Sequence, residues 1–262
     1  MGASPLRFSS LGSGSEGNGL VVQCGQTRLL LDCGFSIRET QLRLARAGIS
    51  PDQLSAILVT HEHDDHVGGV FGFARKHAIP VFLSHGTLEA RRESSPGADA
   101  GVQVSLLHAE ERVSIGNLEL FPFTVPHDAR EPLHFVFSDG ESRLGVLTDT
   151  GCSTPHIEKM LSGLDALVLE TNHDLGMLMN CDYPQSLKTR IAGRFGHMDN
   201  ETSGGLLAAL DQSRLKHVVA AHLSRRNNVP MLARDALAKA LNCEPDWVVI
   251  ASQERGFDWL EI

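Results

Sequence analysis

The sequence lacks any close pairing of cysteines: the five present, Cys24, Cys33, Cys152, Cys181 and Cys243, are odd in number, widely spaced and never arranged as C-x-x-C. That excludes a disulfide framework and a thiolate zinc ribbon, and it predicts reduced thiols in a cytoplasmic protein. No apolar run is long enough to span a bilayer. The opening Met-Gly-Ala-Ser-Pro-Leu has neither a basic nor an apolar leader segment, and Leu6 stands where a myristoylation signal wants Ser or Thr, so no membrane partner is expected. Positive charge is also short, with 23 Lys+Arg against 32 Asp+Glu and a net of −9. A polyanion would therefore need a local basic patch, because no overall field draws it in. Repeats, low-complexity segments and linker-like composition breaks are missing too, which predicts one domain over residues 1–262.

What the sequence does contain is histidine, thirteen in all. Histidine is the commonest metal ligand and a frequent general acid or base. Around it the hydrophobic pattern reads as α/β. A strand over 6–9, a Gly/Ser loop over 12–19 and strands over 20–24 and 28–32 open the chain, followed by a helix over 37–47 and a buried strand over 56–60. Helices over 69–77 and 87–94 flank a strand over 80–83. The middle is strand-rich, with segments over 102–107, 118–124, 133–138 and 144–148. The last third alternates again: helices over 155–161, 183–192, 200–212 and 231–241, and strands over 166–169, 217–221, 247–251 and 257–260. This layout predicts a sandwich of two sheets covered by helices on its outer faces.

Directly after the apolar run Ala56-Ile57-Leu58-Val59-Thr60 comes His61-Glu62-His63-Asp64-Asp65-His66. Three imidazoles and several carboxylates in six residues repel protons and one another unless a cation joins them, and a strand's carboxyl end is where α/β folds carry their sites. Alternation lets His61 and His63 point one way while Asp65 and His66 turn toward a second ion. His222 ends Val218-Val219-Ala220-Ala221 in the same manner.

Thr60-His61-Glu62-His63-Asp64-Asp65-His66 resembles the signature of the metallo-β-lactamase-fold hydrolases, a four-layer αββα sandwich. The resemblance implies further site residues, and they follow in family order: Asp32 before the signature, then His127, Asp149 and His222. It implies that His61, His63 and His127 hold one divalent ion, that Asp65, His66 and His222 hold another, that Asp149 bridges them, and that Asp32 orients a ligand histidine. Five further phrases are similar to the WalJ/YycJ-type exonuclease group: Ser10–Asn18, His127–Ala129, Glu170–Asp174, Gly196–Asn200 and His222–Asn228. Glu16 and Met198-Asp199 depart from that group's pattern, and the added carboxylates weaken attraction for phosphate.

The resemblance implies a 5′-to-3′ DNA exonuclease with DNA as the substrate partner. Two cations, Mn²⁺ or Zn²⁺, would be bridged by Asp149 and a water, and the resulting hydroxide would attack phosphorus in line, with Asp65 and Asp149 central. The Gly/Ser loop exposes N–H groups and hydroxyls able to hold phosphate. Ser13, Asn18, Asn172, His173, His197, Ser224 and Arg225 are the expected substrate contacts. Arg225-Arg226 is the basic patch expected beside the metals, whereas Arg91-Arg92 reads as a solvated helix face. A lactonase or thioesterase of the same fold remains the alternative, since such enzymes share the H-x-H-x-D-H loop.

Overall fold

Antiparallel hairpins begin each of two sheets, and parallel crossovers finish them. In the first sheet β1 (Arg7–Gly12), β2 (Gly19–Cys24) and β3 (Thr27–Leu31) pair antiparallel, then β4 (Ala56–Leu58), β5 (Val81–Ser84) and β6 (Val104–Leu107) add in parallel. β14 (Phe257–Glu261) pairs antiparallel with the outer edge of β1. The second sheet repeats the plan. β7 (Val113–Ile115), β8 (Leu118–Thr124), β9 (Leu133–Ser138) and β10 (Arg143–Leu147) are antiparallel, and β11 (Ala166–Glu170), β12 (His217–Ala221) and β13 (Val249–Ile250) continue parallel from β10. This computed structural model describes residues 4–262, and among them each sheet has seven strands. Residues 1–3, which begin the segment read for a leader, lie outside the described residues.

Strand alternation sorts the apolar side chains into layers. Leu20, Val22, Leu29, Leu31 and Leu58 of the first sheet meet Leu118, Leu120, Phe135, Phe137 and Val146 of the second in one buried core. The intervening Val21, Leu30 and Ile57 face outward onto α1 (Ile37–Arg46), α3 (Val70–His77) and α4 (His85–Ser94) through Leu44, Phe73 and Leu88. On the opposite surface Val136, Leu167 and Val218 pack against α5 (Pro155–Leu161), α8 (Asn200–Ala209) and α9 (Pro230–Leu241). The result is the expected αββα sandwich. Burial on both faces explains why the strands read as continuous apolar runs, and each fully buried Leu or Phe contributes about 1.5–3 kcal/mol. Ser36, Ser84, Thr154 and Asp199 cap α1, α4, α5 and α8, each accepting a backbone N–H with its side chain.

Three expectations change. The strand over 247–251 shrinks to β13, because Pro245–Trp247 forms a 3-10 turn with proline at its first position. The loop after β4 contains a helical turn, α2 (Asp64–Val67), so helical rotation rather than strand alternation sets the directions of Asp65 and His66. The helix over 183–192 begins later, as α7 (Gln185–Ile191). β7 and α6 (Leu175–Asn180) are among the elements with no counterpart in the sequence reading. β7 is too short to show a period, and α6 depends on Asp174, whose carboxylate accepts Met177 N–H at 2.7 Å. No helix among the described residues is long and apolar enough to cross a membrane.

Candidate metal centre

Parallel pairing brings the carboxyl ends of β3 and β4 to one edge of the first sheet, and those of β10, β11 and β12 to one edge of the second. Being antiparallel to β9, β8 runs the same way as β10. Asp32, Asp149 and His222 follow β3, β10 and β12 in the left-handed region, with φ of 61°, 51° and 56°. That conformation is uncommon outside glycine, and Asp and His tolerate it better than most residues. It turns each side chain off its strand and toward the His61–His66 turn.

Donor atoms from both sheets converge there. The rings of His61, His63 and His127 meet with His61 Nε2 and His127 Nε2 at 3.0 and 3.3 Å from His63 Nδ1. Asp65 Oδ2 lies 3.4 Å from both His66 Nε2 and His222 Nε2. Between the two groups sits Asp149, with Oδ2 3.1 Å from His66 Nε2 and Oδ1 3.5 Å from His222 Nε2. The two triads, and a third group of His61, His66 and Asp149, each have donor atoms close enough to share one ion.

The surroundings orient these rings. Asp32 accepts from Thr60 N–H at 2.9 Å and contacts His66 Nδ1 at 2.8 Å, so His66 presents Nε2 inward. His127 Nδ1 lies 3.2 Å from the Gly196 carbonyl, and His222 Nδ1 lies 3.4 Å from Glu170. Asn18 N–H donates to the Asp65 carbonyl at 2.8 Å, and Cys33 N–H to that of His66 at 2.8 Å, which stitches the ligand turn to the first hairpins. Gly34 passes so near the Asp65 carbonyl that any side chain there would collide with it.

Burial drives His61 well below the ordinary histidine range and lowers His127, leaving their lone pairs free. Burial also opposes charge on His66 and His222, but Asp149 and its neighbouring carboxylates overcome it: His66 is held well above the ordinary range and His222 is pushed up to about 10. The same histidines hold Asp65 and Asp149 below the usual carboxylate range against their burial. Protons on His66 and His222 thus neutralise the buried carboxylates, a task a cation performs equally well. Asp149 Oδ2 is buried without a well-aligned hydrogen bond. The free lone pairs of His61 and His127, the ionised carboxylates and this spare acceptor fit a divalent ion, which would take the place of the protons on His66 and His222.

An open cleft of roughly 250 Å³ lies over the centre. Asn172, His197 and Ser224 line it, together with Ser15, Asp128, Tyr183, Leu187, Arg190 and Asn227. The other expected contacts lie elsewhere. Ser13 and Asn18 are buried below the site, where Ser13 Oγ accepts His222 N–H at 2.9 Å and donates to Asn18 Oδ1 at 3.2 Å. The Gly/Ser loop spends other donors internally: Gly14 N–H goes to Asn18 and Glu16 N–H to Gln253. His173 is fully buried with Nδ1 3.3 Å from Asn172 Oδ1. Arg225 lies on the outer surface, paired with Glu16 and, at 2.5 Å, with Glu254. Arg91 is largely buried and bonds Asp64 at 2.9 Å, so it braces the ligand turn instead of facing solvent as expected.

Glu170 was assigned no individual role from the sequence. It is fully buried at the end of β11, contacts His197 Nδ1 at 2.8 Å with Oε1, and accepts Thr150 N–H at 3.0 Å with Oε2. Burial opposes its charge, yet His197 and His222 hold its carboxyl below the usual range; in return Glu170 raises His197 against burial. The signal was available, since an acid ends an apolar strand here just as Asp149 follows β10.

The sequence matches the family described as Beta-lactamase superfamily domain over residues 27–223. It is 36% identical to Exodeoxyribonuclease YycJ of Bacillus anthracis over 236 residues, covering 90% of this chain and 89% of that protein. With Exodeoxyribonuclease WalJ of Streptococcus pneumoniae it shares 31% identity over 90% of this chain and 88% of the other. Among solved structures, the metallo-beta-lactamase fold protein YhfI from Bacillus subtilis is similar in fold, with a TM-score of 0.75 and 17% identity over 99% of this chain and all of that one.

Proposed function

This chain belongs to the β-lactamase superfamily, as a hydrolase of the metallo-β-lactamase fold, and from that premise we propose that it is a phosphodiesterase that removes nucleotides from the 5′ end of DNA with two divalent cations, Mn²⁺ or Zn²⁺. The observation that carries the reading is the pair of donor clusters meeting at Asp149 on the floor of an open cleft. The exodeoxyribonuclease names of relatives matching nine-tenths of the chain favour DNA over a lactone or thioester.

In this reading His61, His63 and His127 would hold one cation and Asp65, His66 and His222 the other, with Asp149 available to either. Cations bound there supply Lewis acidity toward a phosphoryl oxygen, make water more acidic and screen the diester's charge. The chain's own groups do the remaining work. Asp65, partly exposed at the cleft floor, takes the proton of the attacking water on Oδ1, the carboxylate oxygen not engaged with His66 and His222. His197 keeps a proton through Glu170 and delivers it from Nε2 to the departing oxygen. Asn172 and Ser224 offer hydrogen bonds to phosphate oxygens along the cleft wall. Ser13, Asn18 and Asp32 fix the ligands from behind. Arg225 meets more distant phosphates once Glu16 and Glu254 release it.

The test is a side-by-side incubation of metal-loaded protein with 5′-phosphorylated single- and double-stranded DNA, RNA, a thioester and a homoserine lactone. Mononucleotides released from the DNA 5′ end, and absent with His63→Ala, are expected. Turnover of the lactone or thioester with intact oligonucleotides would overturn the proposal.

A further inference from the structure

One side of the cleft is unlike the rest. Opposite the histidines and carboxylates, Tyr183, Leu187 and Ile191 present an apolar wall on and just before α7. Arg226 lies over the Tyr183 ring at 4.9 Å and is itself held by Asp182 at 2.6 Å, which fixes the ring in place. Beyond α7 the turn Gly193–Gly196 ends at a glycine that lines the cleft and leaves the preceding Arg194 and Phe195 exposed. The Phe195 carbonyl accepts Asp128 N–H at 2.9 Å, so the turn is tied to a residue that lines the cleft, while the Phe195 side chain is 57% exposed. Most phenylalanines of this protein are buried; this one has no packing role that explains its position. Two cations stand beside the aromatics: Arg190, 63% exposed and paired with Asp128, and Arg194, which makes no ion pair among the described residues.

Aromatic faces set between exposed guanidinium groups, next to a centre that cleaves phosphodiesters, match an unpaired nucleobase and the phosphates on either side of it. A paired base keeps its faces covered by its neighbours and gains little from such a wall. Resting on the phosphodiesterase reading above, we infer that Tyr183 and Phe195 form a stacking wall for unpaired bases of the DNA strand beside the scissile phosphate, with Arg190 and Arg194 holding its backbone. The wall gives the acidic protein a hold on single-stranded DNA that does not depend on net charge. It also favours frayed or single-stranded ends over blunt ones.

The test measures binding apart from cleavage. Full-length protein carrying His63→Ala is titrated in Mn²⁺ against a 5′-phosphorylated, fluorescein-labelled octathymidylate, and against the same strand with abasic sites at its 5′ end. Phosphate and metal contributions are common to both strands, so the affinity ratio isolates the bases. Tighter binding of the base-bearing strand by about tenfold or more is expected. Phe195→Ser and Tyr183→Leu should each reduce that ratio severalfold, the double variant should bring it near one, and Phe195→Trp should restore it. Phe195 is exposed, so its variants probe the wall without threatening the fold. A ratio near one in the parent, or an unchanged ratio in the double variant, would overturn the inference. If the ratio collapses as expected while wild-type protein leaves DNA uncut, the stacking wall stands and the phosphodiesterase reading falls.

Discussion

Nδ1 of His197 lies 2.8 Å from Oε1 of Glu170, a carboxylate wholly enclosed by the protein, and the other ring nitrogen of His197 has no protein partner among the described residues. An acid this deep serves the imidazole in front of it. Glu170→Gln keeps the shape of the side chain and removes the charge, so kcat on an oligonucleotide should fall by roughly 10²-fold or more with little change in KM. A p-nitrophenyl phosphodiester, whose leaving group needs no proton, should lose far less. Equal losses on both substrates would assign Glu170 to holding His222 alone.

Asp32 joins the strand end before α2 to the ring of His66, through Thr60 N–H at 2.9 Å and His66 Nδ1 at 2.8 Å. Asp32→Ala frees the ring to rotate. Metal affinity measured by calorimetric titration should weaken by about 10–100-fold, with the fold retained in circular dichroism.

Because the donors belong to the folded state, metal should raise stability in proportion to its occupancy. At a free concentration of about 100 times Kd, one site adds about 2.7 kcal/mol. For a chain of this length that corresponds to a rise in Tm of roughly 5–10 °C. Differential scanning calorimetry with chelator, then with Mn²⁺ or Zn²⁺ restored, checks this; an unchanged Tm would count against a bound ion.

Glu16 pairs with Arg225 on the exposed lip of the Gly/Ser loop, with Glu254 on the other side. Exposed pairs exchange readily, so phosphate competes with these carboxylates for the guanidinium. Glu16→Gln should tighten DNA binding severalfold at low salt and steepen its dependence on log[salt] by about one. Fluorescence anisotropy over a salt series measures both, and a lower affinity would show that Arg225 takes no part.

The αββα architecture was legible because strands buried on both faces leave unmistakable apolar runs, and stretches of helical spacing fall between them. The donors His61 and His222 drew attention by the same route, each following such a run, whereas Asp149 came only with the resemblance to the family. What stayed hidden depends on contacts between residues far apart in the chain. Nothing local indicates that Arg225 is claimed by Glu16 and Glu254, that Arg91 reaches Asp64, or that His173 is sealed beneath the cleft. Glu170 shows as an acid ending an apolar strand, but which imidazole it faces depends on a contact with His197 made only in the folded chain.

His61, His63, Asp65 and His66 come from the first sheet, while His127, Asp149 and His222 come from the second. Each of the two triads takes donors from both sheets, so the centre works as a gauge of how the two layers are aligned. A slip of an ångström in the shared core of Phe135, Phe137, Leu118 and Leu58 separates donors that sit 3.1–3.4 Å apart across the two sheets. Packing errors remote from the cleft would then register there first, as lost metal and lost turnover in a protein that is still folded.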